Sequence, residues 1–169
     1  SPAADGVPAL MAYDASVVLS SASLGRRTIA LADFYRGYKQ MIRRPDELIT
    51  QIRIPIPPAG RVEYFRKVGA RKFQAISKVL LAGALTLGGK KEIETIRLVY
   101  GSVMPVTYRA QKTEKVLLGK IPDQKTVSAA VETLKQELNP IDDIRSTAAY
   151  RLKVACNLLE EFLKSPQGR

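Results

Sequence analysis

The sequence predicts an α+β fold with strands first and helices last, and two observations carry that expectation. Apolar residues alternate with a period of two over 62–100, and beyond residue 107 the period lengthens to 3.6. A third feature divides the chain: Pro57, Pro58 and Gly60 make a short linker, leaving parts 1–57 and 61–165 on either side.

The elements follow in order. Residues 1–15 start as a loop punctuated by Pro and Gly and run into Val7 to Ala12, one or two helical turns beginning near Asp5, a residue type suited to an N-cap. Val17 to Ser21 and Thr28 to Leu31 are β-prone runs joined across Gly25, which predicts a hairpin. In 49–56, Ile52, Ile54 and Ile56 alternate with Gln51, Arg53 and Pro55, the pattern of a strand with one buried face. Pro55, Pro57 and Pro58 forbid a ladder beyond it. Val62 to Val68 and Ser77 to Leu87 are strands, and Gly88-Gly89-Lys90-Lys91 turns the second into Ile93 to Tyr100, where Ile96, Leu98 and Tyr100 share a face. Together these form a three-stranded antiparallel sheet.

Three helices follow. The first runs from an N-cap at Thr107 to a stop at Gly119. The second follows Asp123, with Val127, Ala130, Val131, Leu134 and Leu138 on one stripe, and ends before Asn139-Pro140. The third starts at Ser146 or Thr147 and continues to Lys164, with Ala148, Leu152, Ala155, Leu159 and Phe162 inward. They are expected to pack as a bundle against the sheet.

Composition removes several chemistries. The chain has 169 residues, 46% of them hydrophobic, with one Cys and no His. A Ser-His-Asp triad and His-ligated zinc are excluded, and Cys156 alone cannot make an intrachain disulfide or hold an iron–sulfur cluster. Cys156 lies among apolar helix residues, which favours packing over reactivity. No apolar run has the roughly 20 residues a membrane span needs, so the chain is read as soluble, and a lone free Cys in an apolar stretch fits a reducing cytoplasm. Any redox chemistry here falls to a cofactor, and neither a catalytic residue nor a metal ligand is assigned.

Charge is concentrated. The net charge is +11, and residues 61–91 hold eight Lys or Arg (Arg61, Arg66, Lys67, Arg71, Lys72, Lys78, Lys90, Lys91) against Glu63. This stretch is either a solvated strand face, a surface for an acidic protein or a surface for phosphates, with Tyr64, Phe65 and Phe73 available for stacking or for the core. A basic, non-enzymatic module that binds nucleic acid or an acidic protein is therefore the alternative function, nucleic acid being the less favoured ligand. Gly88-Gly89-Lys90-Lys91 lacks the length of a phosphate loop and is read as a hairpin turn. Asp142 and Asp143 precede a helix and are read as caps, with Tyr150 and Arg151 as their pairing partners.

The order of motifs adds more. SPAADGVPALMAYDA at 1–15, GRRTIALADFYRGYKQ at 25–40, PDELITQIRIP at 45–55, YFRKVGARKFQAISKV at 64–79, the Tyr100-Gly101 and Pro105 turn, and IDDIRSTAAYRLKVA at 141–155 resemble, in one order and over nearly the whole chain, the FAD-binding subunit of the molybdenum hydroxylases. That family includes xanthine dehydrogenase, aldehyde oxidase and aerobic carbon monoxide dehydrogenase. The resemblance implies that 1–57 is the end of a flavin-binding α+β domain and that 61–165 is the C-terminal domain of the same subunit. It implies a flavin-holding, electron-transfer component of an FAD-dependent oxidoreductase, passing electrons from iron–sulfur centres through FAD to NAD or another acceptor. Molybdopterin and the iron–sulfur clusters would sit on partner subunits.

The resemblance carries over to four residues. Asp5 matches an acid that hydrogen-bonds the flavin's ribityl or adjacent groups, with helix capping as its alternative role, and Ser1 belongs to the same loop. Ile49 matches an apolar residue near the isoalloxazine. Lys67 matches a cation at the flavin end, where it would stabilise negative charge on the reduced ring, whereas Arg71 is read as a salt-bridging residue. The family's Gly-rich pyrophosphate loop and the Gly-Gly-Asn stretch before Ser-Pro are missing from this sequence. The chain is accordingly expected to be a fragment that binds FAD weakly or not at all without the preceding N-terminal FAD-binding segment.

Overall fold

A computed structural model describes residues 1, 3–71 and 74–165. Elements run in the order α1 (Gly6–Ala12), β1 (Ser16–Ser21), β2 (Gly25–Ala30), a single 3-10 turn (Leu31–Asp33), β3 (Tyr35–Gly37), β4 (Gln40–Met41), β5 (Leu48–Arg53), β6 (Val62–Gly69), β7 (Ser77–Leu87), β8 (Ile93–Gly101), β9 (Tyr108–Arg109), α2 (Gln111–Leu117), α3 (Gln124–Glu137) and α4 (Ala148–Lys164). The class is mixed α+β, with strands before the main helices.

The central element is the antiparallel sheet β6-β7-β8-β9, buried on both faces of β7. Side chains alternate across a strand, so Val79, Leu81 and Leu85 of β7 and Ile96, Leu98 and Tyr100 of β8 point to one side. There they form the main core with Val127, Ala130, Leu134, Ala155, Leu159 and Phe162 of α3 and α4. Leu80, Ala82 and Val99 point to the other side and form a second core with Met11, Ala12, Val17, Leu19, Leu31 and Phe34. Apolar residues between Met11 and Phe34 are thus packed directly against the β6–β9 sheet.

Most expected elements are present. The hairpin, the strand positions of β6 to β8, and the Gly88 turn, closed by Lys91 N–H donating to Gly88 O at 3.0 Å, agree with the period-two pattern. Asp123 caps α3 by accepting from Thr126 N–H at 2.8 Å, and Thr147 caps α4 by accepting from Tyr150 N–H at 3.2 Å. Cys156 is buried in the main core.

Three details differ. Thr107 caps no helix, because Tyr108 and Arg109 pair with Tyr100 and Val99 as a fourth strand, and α2 begins only at Gln111. Ile52, Ile54 and Ile56 have no buried face: β5 is the edge of the three-stranded sheet β2-β1-β5, and every one of its residues is exposed. Alternation reports which residues could share a covered face, not whether a cover is present. Phe65, a possible core residue, is also exposed, while Tyr64 packs its ring against Phe162. Phe73 and Lys72 lie outside the described residues. Among the described residues no helix is long and apolar enough to cross a membrane.

Candidate functional site

The N-terminal loop is folded on itself and clamped to the central sheet. Ala4 N–H donates to Ser1 O at 3.1 Å, closing a turn, and α1 then lies across β7 and β8. Gly101 permits that approach, since a Cβ there would fall 2.9 Å from Pro8 Cγ. Arg61 donates to Ala12 O at 2.6 Å, and Arg97 pairs with Asp14 at 2.7 Å, fixing the far end of the helix.

Asp5 occupies the N-cap position of α1 but makes no cap hydrogen bond. Its carboxylate is engaged by the sheet instead: Lys67 Nζ of β6 lies 2.6 Å from Oδ2, and the Ser77 hydroxyl of β7 donates to Oδ1. The helix-capping role expected for it is therefore replaced by a clamp between segments far apart in sequence. Ser77 is buried, so its hydroxyl needs that acceptor.

Beside this clamp opens a cleft of about 610 Å³, lined by Ser1, Ala3, Tyr38, Ile76, Ser77, Ser102, Pro105, Ile141, Asp142, Asp143 and Arg145, with Arg151 at its base. The Arg151 guanidinium donates to Lys78 O at 2.5 Å, to Ser102 O and to Asp143 Oδ1 at 2.6 Å, joining β7, the turn after β8 and the turn before α4. Asp143 Oδ1 also accepts from the N–H groups of Arg145 at 2.8 Å and Ser146 at 3.1 Å. Burial pushes the Asp143 carboxyl up, but the Arg145 N–H, the Arg151 cation and the Ser146 N–H together bring it below the usual carboxylate range. The expected pairing of Arg151 with this acid is present.

Of the four residues carried over from the resemblance, the structure brings three together. Asp5 and Lys67 are in direct contact; Ser1 lines the cleft, as does Ser77, which links the cleft wall to Asp5. Asp5 and Lys67 stand behind that wall. Ile49 is elsewhere, on β5 opposite Leu19, and is 48% exposed. Arg71 forms no salt bridge among the described residues; it donates to Gln74 O at 2.6 Å, which corrects the role read from its charge.

Sequence reasoning did not find Ser77, Ser102, Tyr38 or the deep position of Arg151. Ser102 has a signal in its neighbours, since it follows the Tyr100-Gly101 pair and adopts φ of 63°, which marks a sharp turn. Among the described residues Arg151 is the largest fully buried side chain, and three acceptors, Lys78 O, Ser102 O and Asp143 Oδ1, take up its Nη groups while Nε is left over.

The cleft suits a group that is partly flat and apolar, partly polar. Tyr38, Ile76, Pro105 and Ile141 supply apolar walls, while the Ser1 and Ser77 hydroxyls and the Arg145 cation supply polar ones. At its base the Ser102 hydroxyl and Arg151 Nε are buried and have no hydrogen-bond partner among the described residues. This donor set fits a flavin, whose ring system is flat and whose edge and side chain carry hydrogen-bonding atoms.

The basic stretch is not one surface. Arg61 and Lys67 are engaged by Ala12 and Asp5, Arg66 stands 4.0 Å from Glu161, and Lys90 and Lys91 belong to the β7–β8 turn. Arg71 and Lys78 are left on the side of the cleft.

Comparison with known proteins gives the frame for this site. Residues 63–165 match the family model described as CO dehydrogenase flavoprotein C-terminal domain, and residues 1–57 match that described as FAD binding domain in molybdopterin dehydrogenase. The glyceraldehyde dehydrogenase medium chain of Sulfolobus acidocaldarius is 34% identical over 153 residues, covering 90% of this chain and 53% of that relative. The carbon monoxide dehydrogenase medium chain of Afipia carboxidovorans is 30% identical over 163 residues, covering 96% and 56%. Reconstituted CO dehydrogenase from Oligotropha carboxidovorans superposes with a TM-score of 0.91 at 28% identity, covering 100% of this chain and 58% of that one. The chain spans about half the length of these relatives.

Proposed function

The chain belongs to the CO dehydrogenase flavoprotein C-terminal domain family, and we propose that it forms part of the flavin-holding, electron-transfer component of a molybdenum hydroxylase. The observation that carries this reading is the cleft between the Ser1 loop, the start of β7 and the 141–145 turn, with Ser77 tied to the Asp5–Lys67 pair at its wall. When bound, FAD supplies the redox chemistry, accepting electrons from iron–sulfur centres and releasing them to NAD or another acceptor. Iron–sulfur and molybdenum subunits are the proposed partners.

The chain's own residues do the work of binding and orientation. Ser1 offers a hydroxyl at the wall, Ser77 keeps there an oxygen whose proton goes to Asp5, and Tyr38, Ile76 and Ile141 add apolar surface. Lys67 and Asp5 form an ion pair that holds Ser77 in place at that wall. The match of the two family models to 1–57 and 63–165 supports a division of labour between a flavin-binding part and a C-terminal part.

The test is the visible spectrum and native mass of this chain produced together with the preceding segment of the flavin subunit. Flavin that stays bound through gel filtration is the expected result, with Ser77→Ala lowering its retention. Material that remains colourless after added FAD overturns the reading.

A further inference from the structure

Ser102 stands out at the base of the cleft for three reasons. It follows β8 at φ of 63°, a backbone conformation that is costly for a residue with a side chain and that glycine adopts freely. It is only 3% exposed, so its hydroxyl is cut off from bulk water. That hydroxyl also has no hydrogen-bond partner among the described residues. A glycine here would relieve the backbone and leave nothing unpaired. A buried polar atom without a partner, on a residue that lines a cleft, points to a group that comes from outside the chain.

The backbone of Ser102 is fixed while its side chain is not. Arg151 Nη1 donates to Ser102 O and, at 2.5 Å, to Lys78 O, which anchors the turn after β8 to the start of β7. The Oγ atom takes no part in this anchor. Serine has three staggered positions about χ1, and a change between them swings Oγ without moving the pinned backbone.

The surroundings fix the kind of atom that Oγ meets. Among the described residues four charged side chains line the cleft, Asp142 and Asp143 against Arg145 and Arg151, and their charges cancel. Both acids are also engaged: Asp142 Oδ1 accepts from Ala148 N–H at 2.6 Å, and Asp143 Oδ1 accepts from Arg145 N–H, Ser146 N–H and Arg151 Nη2. A lining without net charge gives neither an anion nor a cation the advantage. The other leftover group at the base, Arg151 Nε, can only donate, so the pair calls for a neutral acceptor. Tyr38, Ile76, Pro105 and Ile141 add apolar walls, which suit a flat ring. An amide or imide carbonyl carried on such a ring meets both conditions.

We infer that Ser102 is a ligand-binding residue, whose hydroxyl turns into the cleft and donates to the amide-type carbonyl oxygen of a flat-ring ligand. This rests on the flavin reading above, and two sources supply that chemistry: the cofactor's own ring, or an aromatic carboxamide that receives its electrons. The contact gives a buried hydroxyl the partner it lacks, which makes the bond worth more than one at an exposed site.

The experiment uses this chain produced with the preceding segment of the flavin subunit, as parent, Ser102→Ala and Ser102→Gly. Flavin affinity, the infrared carbonyl bands of the bound flavin, and a titration with nicotinamide as the carboxamide probe are measured on each. Both variants should lose roughly three- to tenfold in affinity for the ligand that supplies the carbonyl, the range for one hydrogen bond. If that ligand is the cofactor, flavin affinity falls and a carbonyl band moves to higher frequency; if it is the carboxamide, nicotinamide binding weakens and the flavin bands stay. Ser102→Gly should melt near the parent, because glycine accepts this backbone, so lost binding is not lost fold. The inference is overturned if both variants match the parent in all three measurements, which leaves a water molecule as the hydroxyl's partner. It is equally overturned if only Ser102→Gly loses affinity, which assigns the effect to backbone freedom. A parent that retains no flavin sinks the flavin reading, and the carbonyl site falls with it unless nicotinamide binds and needs Ser102.

Discussion

Lys67 Nζ and Asp5 Oδ2 lie 2.6 Å apart although 62 residues separate them in the chain, and this contact joins the N-terminal loop to the central sheet. The two partners do not contribute equally. Both side chains are about one-third exposed, so the ion pair itself is screened. Asp5 also accepts from buried Ser77, whose hydroxyl loses its acceptor when the carboxylate goes. Lys67→Ala should cost about 0.5 kcal/mol, and Asp5→Ala about 1–3 kcal/mol. Urea denaturation of both variants checks this, and equal losses would show that Ser77 does not depend on Asp5.

Acid stability should carry the mark of a second carboxylate. Glu47 is buried at the turn before β5, where Arg27 bonds it through Nε at 2.6 Å and Nη2 at 2.8 Å, and Arg44 N–H donates to it at 2.7 Å. The hydrogen bonds from Arg27, which outweigh the opposing effect of burial, and the Arg44 N–H pull its pKa from 4.5 to about 2. A folded pKa below the unfolded one means that the stabilisation is complete above pH 4.5 and disappears as pH falls toward 2. Glu47→Gln should therefore lie below the parent at neutral pH and approach it through that window. Thermal midpoints of the two proteins across the acid range measure the convergence; parallel curves would mean that Glu47 does not titrate there.

The parts of the fold legible in the sequence are those decided locally. Alternation in β6 to β8 and the 3.6-residue stripes of α3 and α4 name the faces that Leu81, Ile96, Val127 and Phe162 bury, because burial follows the period of the backbone. Asp123 and Thr147 cap their helices for the same reason, as a cap needs only the next three residues. Legibility ends where a distant segment competes. Thr107 has the chemistry of a cap, but Tyr108 and Arg109 pair with β8, and Asp5 takes Lys67 and Ser77 in place of its own helix. The cleft was partly visible: Ser1 stands out in a motif, while Ser77 and Ser102 acquire their roles only when β7 and β8 align.

Close packing in the main core gives a sharp test at one position. A Cβ on Gly83 would lie 2.8 Å from Phe162 Cε1, inside a core where Phe162 has no exposed surface to retreat into. Gly83→Ala should destabilise by about 1–3 kcal/mol through overpacking. Gly89→Ala, where a Cβ would meet nothing within 4 Å, should be nearly neutral. In a Phe162→Leu background the Gly83 penalty should shrink, since the clashing ring is gone. Equal costs with and without Phe162 would assign the penalty to the backbone instead.

Arg151 couples the stability of the fold to the shape of the cleft. Its guanidinium meets Lys78 O, Ser102 O and Asp143, and removing it leaves two carbonyls and a carboxylate facing a vacated interior site. Arg151→Leu should cost about 3–5 kcal/mol, the range for breaking a buried pair by deleting one partner. Arg151→Lys keeps the charge but not the fork of donors, so it should recover only part of that loss. Loss of global stability alone would not reveal the local role, and hydrogen exchange does. The Arg145 and Ser146 amides donate to the carboxylate that Arg151 holds, so in Arg151→Lys they should lose protection before the amides of β7 do. If those two amides and β7 open together, Arg151 supports the core as a whole and the turn stands without it.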